Sequence, residues 1–239
     1  MSNHLPKLDD FRHVTEWVFD LDNTLYPRHT DLFSQIDHKM TAYVADLLAM
    51  SREEARQLQK AYYRDHGTTL NGLIEKHGID ANDFLEKVHD IDYSWLEPNP
   101  ALGEAIRALP GRKFIFTNGD TAHAERTAAA LGILDHFDEI FDILAAELTP
   151  KPAAETYDRF LSLHKVDGAR AVMFEDLPRN LAVPKSLGMR TVLVVPHNLD
   201  EAMGEDWEHI GAEGGHIDYV TDNLAGFLSH YLEAAGRTA

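Results

Sequence analysis

Cysteine does not occur in the 239-residue sequence. Its absence excludes disulfide bonds, metal sites built from thiolates and a cysteine nucleophile. No apolar run approaches the roughly 18 residues that a membrane-spanning helix needs, and there is no internal repeat or low-complexity tract. The first residues also lack the basic and then apolar profile of a secretory signal. We therefore expect a soluble, cytoplasmic protein.

Positive charge is scarce. The chain has 22 Lys and Arg against 40 Asp and Glu, which gives a formal net charge of −18. Such an acidic surface repels the phosphate backbone of nucleic acids, and no basic stripe with interleaved aromatic residues is present. We expect neither a nucleic-acid polymer nor a membrane as partner. A small phosphorylated ligand is compatible with this composition if the site supplies a local cation.

The most informative stretch is WVFDLDNTLY, residues 17–26. It predicts a buried strand that ends in two carboxylates, Asp20 and Asp22. Ligand sites in open parallel sheets lie beyond the carboxyl ends of the strands, so these side chains are expected to face a crevice. Two aspartates so close together repel each other unless a cation or a shared proton offsets the charge. An ordinary acidic turn after a strand is the alternative interpretation.

Patterning divides the chain into three parts. Residues 1–13 are polar and are predicted to be a lead-in with little structure. Residues 28–96 show apolar positions at helical spacing without strand-like alternation, which predicts a helical insertion. Residues 14–27 and 97–239 form the predicted core.

The core sequence alternates between helical and strand-like segments. Further strands are predicted at about 113–117, 139–144, 171–174, 190–195 and near 219, with helices between them. This alternation predicts an α/β fold, a Rossmann-like three-layer α/β/α core whose parallel sheet is covered by helices on both faces. Residues 196–215 are predicted to form a surface loop.

Polar residues follow several predicted strands. Thr117-Asn118-Gly119-Asp120, Lys151 and Glu175-Asp176 would all meet Asp20 and Asp22 at one edge of the sheet. Each group also has a structural alternative, such as capping of the next helix, a solvated loop lysine or an acidic helix start. All of these alternatives would have to coincide at the same edge, which favours a shared site.

The sequence resembles the haloacid dehalogenase-like hydrolases. DLDNT at 20–24, FIFTNGD at 114–120, TPKP at 149–152 and FEDLPRN at 174–180 are similar to the four ordered motifs of that superfamily. The resemblance extends over about residues 15–235, and the helical insertion resembles the superfamily's C1 cap. VFDLDNTLYP, HGTTLNGL and FEDLPRNL are further similar to the pyrimidine 5'-nucleotidase-like branch.

The resemblance implies catalytic and metal-binding roles. Asp20 would be the nucleophile that forms an aspartyl phosphate, and Asp22 the acid and base; the dehalogenases lack an aspartate at the second position. Mg²⁺ would be held by the Asp20 carboxylate, the Asp22 carbonyl and Asp176. Glu175 would be a further metal ligand or act through water.

The resemblance also implies a phosphate-binding set. Thr117 and the backbone N–H of Asn118 would hold the phosphoryl oxygens, and Lys151 would supply a fixed positive charge. Many relatives carry Gly-Asp where this chain has Glu175 and Asp176, with a second acid downstream where this chain has Asn180. The roles of Glu175 and Asn180 are therefore left open. Asn180 is assigned to the surroundings of the site.

Substrate selection is expected to come from the insertion and from the segment leading into it. The candidates are Tyr26, Tyr63, His66, Thr68, Thr69 and Asn71, with Arg28 and His29 next to the first strand. Packing and helix capping are the alternative roles for these residues. The 14 histidines show no metal-ligand spacing, and most are expected at the surface.

These features predict a Mg²⁺-dependent phosphomonoester hydrolase whose partner is a small phosphorylated metabolite, with a pyrimidine nucleoside 5'-monophosphate as the specific candidate. A sugar-phosphate or phosphoglycolate phosphatase, or a mutase, is the alternative among enzymes. A receiver-like phosphoacceptor or a phosphate-binding module is the non-enzyme alternative. The helical insertion, Asp22 and the order of the motifs argue against the receiver. The sequence leaves the substrate and the oligomeric state open.

Overall fold

The computed structural model describes residues 5–197 and 214–237. The chain divides into two compact units. Unit 1 consists of Met1–His29 and Leu96–Ala239, and unit 2 is Thr30–Trp95.

Unit 1 is built on a parallel sheet of six strands. The strands are β1 Glu16–Phe19, β2 Arg112–Phe116, β3 Glu139–Phe141, β4 Ala171–Glu175, β5 Arg190–Val194 and β6 Tyr219–Thr221. Their order in the sheet is β3-β2-β1-β4-β5-β6, and the paired neighbours are parallel. The strand order reverses direction between β1 and β4, the position at which doubly wound sheets open a ligand crevice. The predicted α/β Rossmann-like core is confirmed.

Helices cover both faces of this sheet. In unit 1 they are α1 Leu8–Phe11, α6 Pro100–Ala108, α7 Thr121–Ala130, α8 Ala154–His164, α9 Ala182–Ser186 and α10 Leu224–Ala234. Unit 2, described by itself, contains α2 Leu32–Leu48, α3 Arg52–His66, α4 Thr69–His77 and α5 Ala81–Val88. The elements described in unit 2 are all helical.

Strand β1 forms because its residues are apolar on both faces. The Trp17 ring lies 5.2 Å from the Tyr231 ring of α10, and Phe19 stacks on Phe174 of β4 at 4.7 Å between ring centroids. Val18 points to the opposite face, since successive strand residues alternate. That face holds a buried cluster that includes Phe114, Phe116, Met173, Tyr157 and Phe160. Burial of each large side chain stabilises the fold by about 1.5–3 kcal/mol, which fixes the strand that ends in Asp20.

Gly111 allows β2 to begin beside β1. Its φ is +81°, and a Cβ there would lie 2.1 Å from the Thr15 carbonyl oxygen. That oxygen accepts a hydrogen bond of 2.9 Å from the N–H of Arg112. A side chain at position 111 would therefore disturb the first contact between the two strands.

The amino-terminal lead-in has more structure than predicted. Helix α1 places Phe11 at 0% exposure, with its ring 6.4 Å from that of Trp17. Asp10 accepts hydrogen bonds from Arg190 and from the Tyr219 hydroxyl. The prediction of little structure was wrong for Leu8–Phe11, which form a short helix with Phe11 buried; so short a segment produces no periodicity in the sequence.

The helix predicted between the strands at 171–174 and 190–195 is divided. A 3₁₀ helix covers Pro178–Leu181 and precedes α9. Pro184 has no N–H to donate to the Asn180 carbonyl oxygen, as an α-helix would require. That oxygen instead accepts a hydrogen bond of 2.7 Å from the Tyr157 hydroxyl.

Unit 2 contains a partly buried polar network around Asp37. This carboxylate accepts hydrogen bonds from Arg56 at 2.6 Å, Gln59 at 2.8 Å and Lys60 at 2.9 Å. Burial would raise the pKa of Asp37, but the hydrogen bonds and charges of Lys60 and Arg56 outweigh that effect and lower it. The network joins α2 to α3. A capping box starts α3: Ser51 Oγ accepts from the N–H of Glu54, and the Glu54 carboxylate accepts from the N–H of Ser51.

Among residues 5–197 and 214–237, no helix combines the length and the apolar character needed to cross a membrane. The predicted surface loop at 196–215 falls mostly outside these described residues.

Candidate active site

Asp20 stands where β1 ends, beside β4. Its N–H donates to the Phe174 carbonyl oxygen at 2.9 Å, which continues the β1–β4 pairing by one residue. Asn23 then takes a φ of 62°, a conformation that asparagine tolerates better than most residues. Thr24 donates to Asp20 Oδ2 at 2.9 Å. The sharp turn thus aims the carboxylate into the switch point of the sheet.

Lys151 is buried at the centre of the site, with 1% exposure. Its Nζ lies 2.6 Å from Asp20 Oδ1, 2.8 Å from Glu175 Oε1 and 2.8 Å from the Phe116 carbonyl oxygen. Burial would lower the pKa of Lys151, but Asp20 and Glu175 outweigh it and raise the pKa. The lysine therefore remains charged and holds two carboxylates together.

Asn118 connects the β2 loop to the Lys151 loop. Its Oδ1 accepts from the N–H of Lys151 at 2.9 Å, and its Nδ2 donates to the carbonyl oxygen of Lys151 at 3.3 Å. Thr117 is 2% exposed, and its Oγ1 accepts from the N–H of Gly119 at 2.9 Å. These bonds fix the loop that was predicted to bind phosphate.

Both oxygens of Glu175 have hydrogen-bond donors. Oε1 accepts from Asn180 Nδ2 at 2.6 Å in addition to Lys151, and Oε2 accepts from the N–H of Leu177 at 2.7 Å. Asn180 therefore acts on the site through Glu175. These contacts orient Glu175 toward Lys151.

Asp176 pairs with Arg28 at the end of unit 1's first segment. Arg28 Nη2 lies 3.1 Å from Asp176 Oδ2, and both side chains are largely buried. Burial and, next, the charge of Glu175 raise the pKa of Asp176 well above its usual value, although Arg28 opposes the shift. Burial likewise raises the pKa of Asp20 to about 7 against the effect of Lys151.

Asp20, Glu175 and Asp176 together form a potential cation site. Each offers a carboxylate oxygen, and the three oxygens lie within 4.8 Å of one another. Hard divalent cations such as Mg²⁺ prefer oxygen ligands of this kind. The pKa values of Asp20 and Asp176 are raised because burial disfavours their ionised forms. A bound cation would favour the ionised forms and offset this effect.

Asp22 has two buried neighbours. The Tyr26 hydroxyl donates to Asp22 Oδ1 at 2.5 Å, and His123 Nε2 lies 3.0 Å from the same oxygen. Tyr26 is 1% exposed and His123 is 0% exposed. The second carboxylate is thus held by side chains from the β1 loop and from α7.

The arrangement unites a carboxylate, a buried ammonium, an acidic cluster and a second, separately held carboxylate. A family model described as a haloacid dehalogenase-like hydrolase matches residues 18–188. The chain belongs to this family. The match includes all the site residues named above, so the hydrolase carries its acidic site within the matched region.

A curated relative of the hydrolase is Phosphate metabolism protein 8 of Saccharomyces cerevisiae. The two are 33% identical over 148 residues, which is 57% of this chain and 45% of the relative. The hydrolase thus matches less than half the length of that protein.

Solved structures agree with the fold. An L-2-haloacid dehalogenase from Xanthobacter autotrophicus has a TM-score of 0.57 at 17% identity, covering 90% of this chain and 97% of its own. A HAD phosphatase from Thermococcus onnurineus has a TM-score of 0.58 at 19% identity, covering 94% and 99%. At these identities the likeness establishes the fold alone.

The candidate specificity residues of unit 2 have structural partners there. Thr68 accepts from the N–H of Asn71 at 3.1 Å and caps α4, and Thr69 is buried and donates to the Gln59 carbonyl oxygen. His66 lies 3.0 Å from Glu75. Tyr63 is half-buried on α3. Substrate selection by these residues stays a prediction.

Sequence reasoning missed His123 and the partner of Arg28. Histidines were expected mostly at the surface, yet His123 is fully buried beside Asp22. Arg28 was a candidate for substrate contact, and here it pairs with Asp176. Asp22 and His123 are 101 positions apart, so local spacing gives no signal for their contact. For Asp120 the structural alternative holds: it caps α7 and accepts from the N–H of His123 at 2.8 Å.

Proposed function

We propose that the hydrolase is a Mg²⁺-dependent phosphomonoesterase that forms an aspartyl phosphate on Asp20. The observation that carries this proposal is the pairing of the buried Asp20 with Lys151 at 2.6 Å, beside a second carboxylate on Asp22. A nucleophilic carboxylate, a fixed cation and a proton carrier are the groups that phosphate-ester cleavage requires.

In the first step a carboxylate oxygen of Asp20 attacks phosphorus, and the bond from phosphorus to the leaving oxygen breaks. Asp22, in its protonated form, gives its proton to that oxygen. The positive charge of Lys151 stabilises the additional negative charge on the equatorial oxygens. Thr117 and the N–H of Asn118 orient the phosphoryl group.

In the second step Asp22, now a carboxylate, accepts a proton from water. The water oxygen attacks phosphorus, and the bond from phosphorus to Asp20 breaks. Inorganic phosphate leaves, and both aspartates return to their starting forms.

The residues present suit Mg²⁺. Asp20, Asp176 and the backbone carbonyl of Asp22 would hold the ion, and the contacts of Glu175 with Lys151 and Asn180 favour a positioning role for that side chain. When bound, the ion would neutralise charge on the phosphoryl oxygens. The close carboxylate oxygens described above support this assignment.

The similar solved structures include both dehalogenases and a phosphatase. The choice between the two reactions therefore depends on the residues of the site. Asp22 supplies the proton that an alcohol leaving group needs and that a halide does not. The name of the yeast relative refers to phosphate metabolism, which agrees with this choice. We therefore favour phosphate-ester hydrolysis over dehalogenation.

The substrate is proposed to be a small phosphorylated metabolite, with a nucleoside 5'-monophosphate as the first candidate. The helical unit 2, Thr30–Trp95, is proposed to act as the cap that selects it. Ranking pyrimidine and purine monophosphates, sugar phosphates and phosphoglycolate by kcat/KM tests this choice. Preference for a sugar phosphate over UMP and CMP would replace the nucleotide assignment while leaving the chemistry intact.

The chemistry is tested with p-nitrophenyl phosphate. We expect multiple turnovers that EDTA abolishes and added Mg²⁺ restores, and no chloride release from 2-chloropropionate. Asp20→Asn should fold, as judged by circular dichroism, and have no detectable turnover. Near-normal hydrolysis by that variant, or chloride release by the unmodified protein, would contradict the proposal.

A further inference from the structure

Asp142 is the first residue after β3, and it is buried, with 5% exposure. Its Oδ2 accepts hydrogen bonds from the N–H of Thr121 at 2.9 Å and from the Thr121 hydroxyl at 2.8 Å. Its Oδ1 accepts from the N–H of Ala145 at 2.7 Å. The two oxygens of this carboxylate therefore engage two different segments of the chain.

The first segment is the loop between β2 and α7. It contains Thr117 and Asn118, which are proposed to orient the phosphoryl group, and it ends at Thr121, the first residue of α7. The N–H of Thr117 donates to the Phe141 carbonyl oxygen at 3.0 Å, which fixes the start of the loop against β3. The two bonds from Thr121 to Asp142 fix its end.

The second segment is the connection from β3 to α8, which contains Lys151. A turn begins this connection, because the N–H of Ala145 donates to Asp142 Oδ1 and the N–H of Ala146 donates to the Asp142 carbonyl oxygen at 3.0 Å. Further along, the backbone of Lys151 forms two hydrogen bonds with the Asn118 side chain. The two segments are thus connected through Asp142 and again through Asn118.

We propose that Asp142 is a positioning residue that fixes the phosphate-binding loop relative to the segment containing Lys151. This inference rests on the proposed phosphatase activity, in which Thr117, the N–H of Asn118 and Lys151 act on the same phosphoryl group. Displacement of such groups by about 1 Å can reduce a rate by about a hundredfold. Asp142 does not touch the substrate in this assignment, and it acts through Thr121 and the loop that ends there.

Asp142→Asn tests this connection with little change in side-chain volume. An amide offers one accepting oxygen and a nitrogen that only donates. The variant can therefore accept from Thr121 or from Ala145 but not from both, which breaks one of the two connections. Because the two side chains are equal in size, the variant is expected to fold.

Two measurements are made on each variant in saturating Mg²⁺. Isothermal titration calorimetry with inorganic phosphate gives the Kd of the phosphate-binding groups, and steady-state kinetics with p-nitrophenyl phosphate gives kcat/KM. For Asp142→Asn we expect the Kd to rise about tenfold and kcat/KM to fall by at least as much. A loss of stability alone would reduce the number of binding sites that the titration reports and would leave the Kd unchanged.

Thr121→Val is a second, milder variant. It removes the hydroxyl that donates to Asp142 Oδ2 and keeps the backbone N–H that donates to the same oxygen. The Kd for inorganic phosphate should rise in the same direction but less, by about threefold, because one neutral hydrogen bond is lost.

Asp138→Asn is the matched control. Asp138 lies directly before β3, and its Oδ2 accepts from the N–H of Lys113 in β2 at 2.7 Å. It thus joins the same two strands at the opposite end of β3, away from the phosphate-binding loop. Its Kd and kcat/KM should equal those of the unmodified protein.

The outcomes separate the two proposals. If the unmodified protein hydrolyses the ester and both constants are unchanged in Asp142→Asn and Thr121→Val, the positioning role is overturned while the phosphatase stands. An equal rise in the Kd of Asp138→Asn overturns it as well, because general weakening of the β2–β3 pairing would then explain the effect. If the unmodified protein neither hydrolyses the ester nor binds inorganic phosphate, the phosphatase proposal fails first and the positioning role fails with it.

Discussion

Lys151 and Asp20 form a buried ion pair in which Nζ lies 2.6 Å from Oδ1, and the same Nζ lies 2.8 Å from Glu175 Oε1. The lysine is thus both the proposed electrostatic catalyst and the counterion for two buried acids. Stability and activity should depend on it together.

Lys151→Met should abolish turnover and lower the free energy of unfolding by about 3–5 kcal/mol, because it leaves buried carboxylates without their partner. Urea unfolding at neutral pH and steady-state kinetics measure the two effects. Lys39→Met is the control, since Lys39 pairs with an exposed Asp90 and should change stability far less. An active Lys151→Met variant as stable as the control would show that the pair has neither role.

Glu175 and Asp176 are adjacent but should respond differently to loss of charge. Asp176→Asn removes a proposed Mg²⁺ ligand, whereas Glu175→Gln removes a carboxylate engaged by Lys151, Asn180 and the N–H of Leu177. We expect Asp176→Asn to weaken Mg²⁺ affinity roughly tenfold more than Glu175→Gln does, as measured by isothermal titration calorimetry. Glu175→Gln should lower kcat. An equal or larger loss of affinity in Glu175→Gln would identify Glu175 as a direct ligand.

Arg28 places a positive charge 3.1 Å from Asp176. That charge opposes a divalent cation at the acidic cluster, so Arg28→Gln should strengthen Mg²⁺ binding about tenfold, consistent with interactions of a few kcal/mol between partly buried charges. Arg28→Lys retains the charge and should change affinity much less. Calorimetric titration of metal-free protein measures both. Weaker binding in Arg28→Gln would mean that Arg28 orients Asp176 for the metal.

Much of the fold and part of the site could be predicted from the sequence. Asp20 and Asp176 directly follow β1 and β4, and Lys151 lies in the longer connection between β3 and α8. Their convergence at one sheet edge follows from the order of strands and helices. Contacts that depend on side-chain direction could not be predicted. His123 reaches Asp22 only because α7 begins beside the β1 loop, and Phe11 orders the lead-in by filling a space against Trp17.

The Asp37 network allows a prediction about pH. The pKa of the Asp37 carboxyl group is lowered in the folded state. The stabilisation by the network is therefore present in full above the pKa of Asp37 in the unfolded chain, about 4, and is lost as the pH falls through the lower pKa of the folded protein. Asp37→Asn should therefore destabilise the protein by about 1–3 kcal/mol at pH 7, and the difference from the unmodified protein should shrink below about pH 4. Urea unfolding at a series of pH values, followed by the circular dichroism of the helices, measures this difference in stability.

Asp90→Asn, which affects an exposed pair with Lys39, is the control and should change stability little at neutral or at acidic pH. A difference for Asp37→Asn that stays constant down to pH values well below 4 would mean that packing, not charge, makes the Asp37 network stabilising.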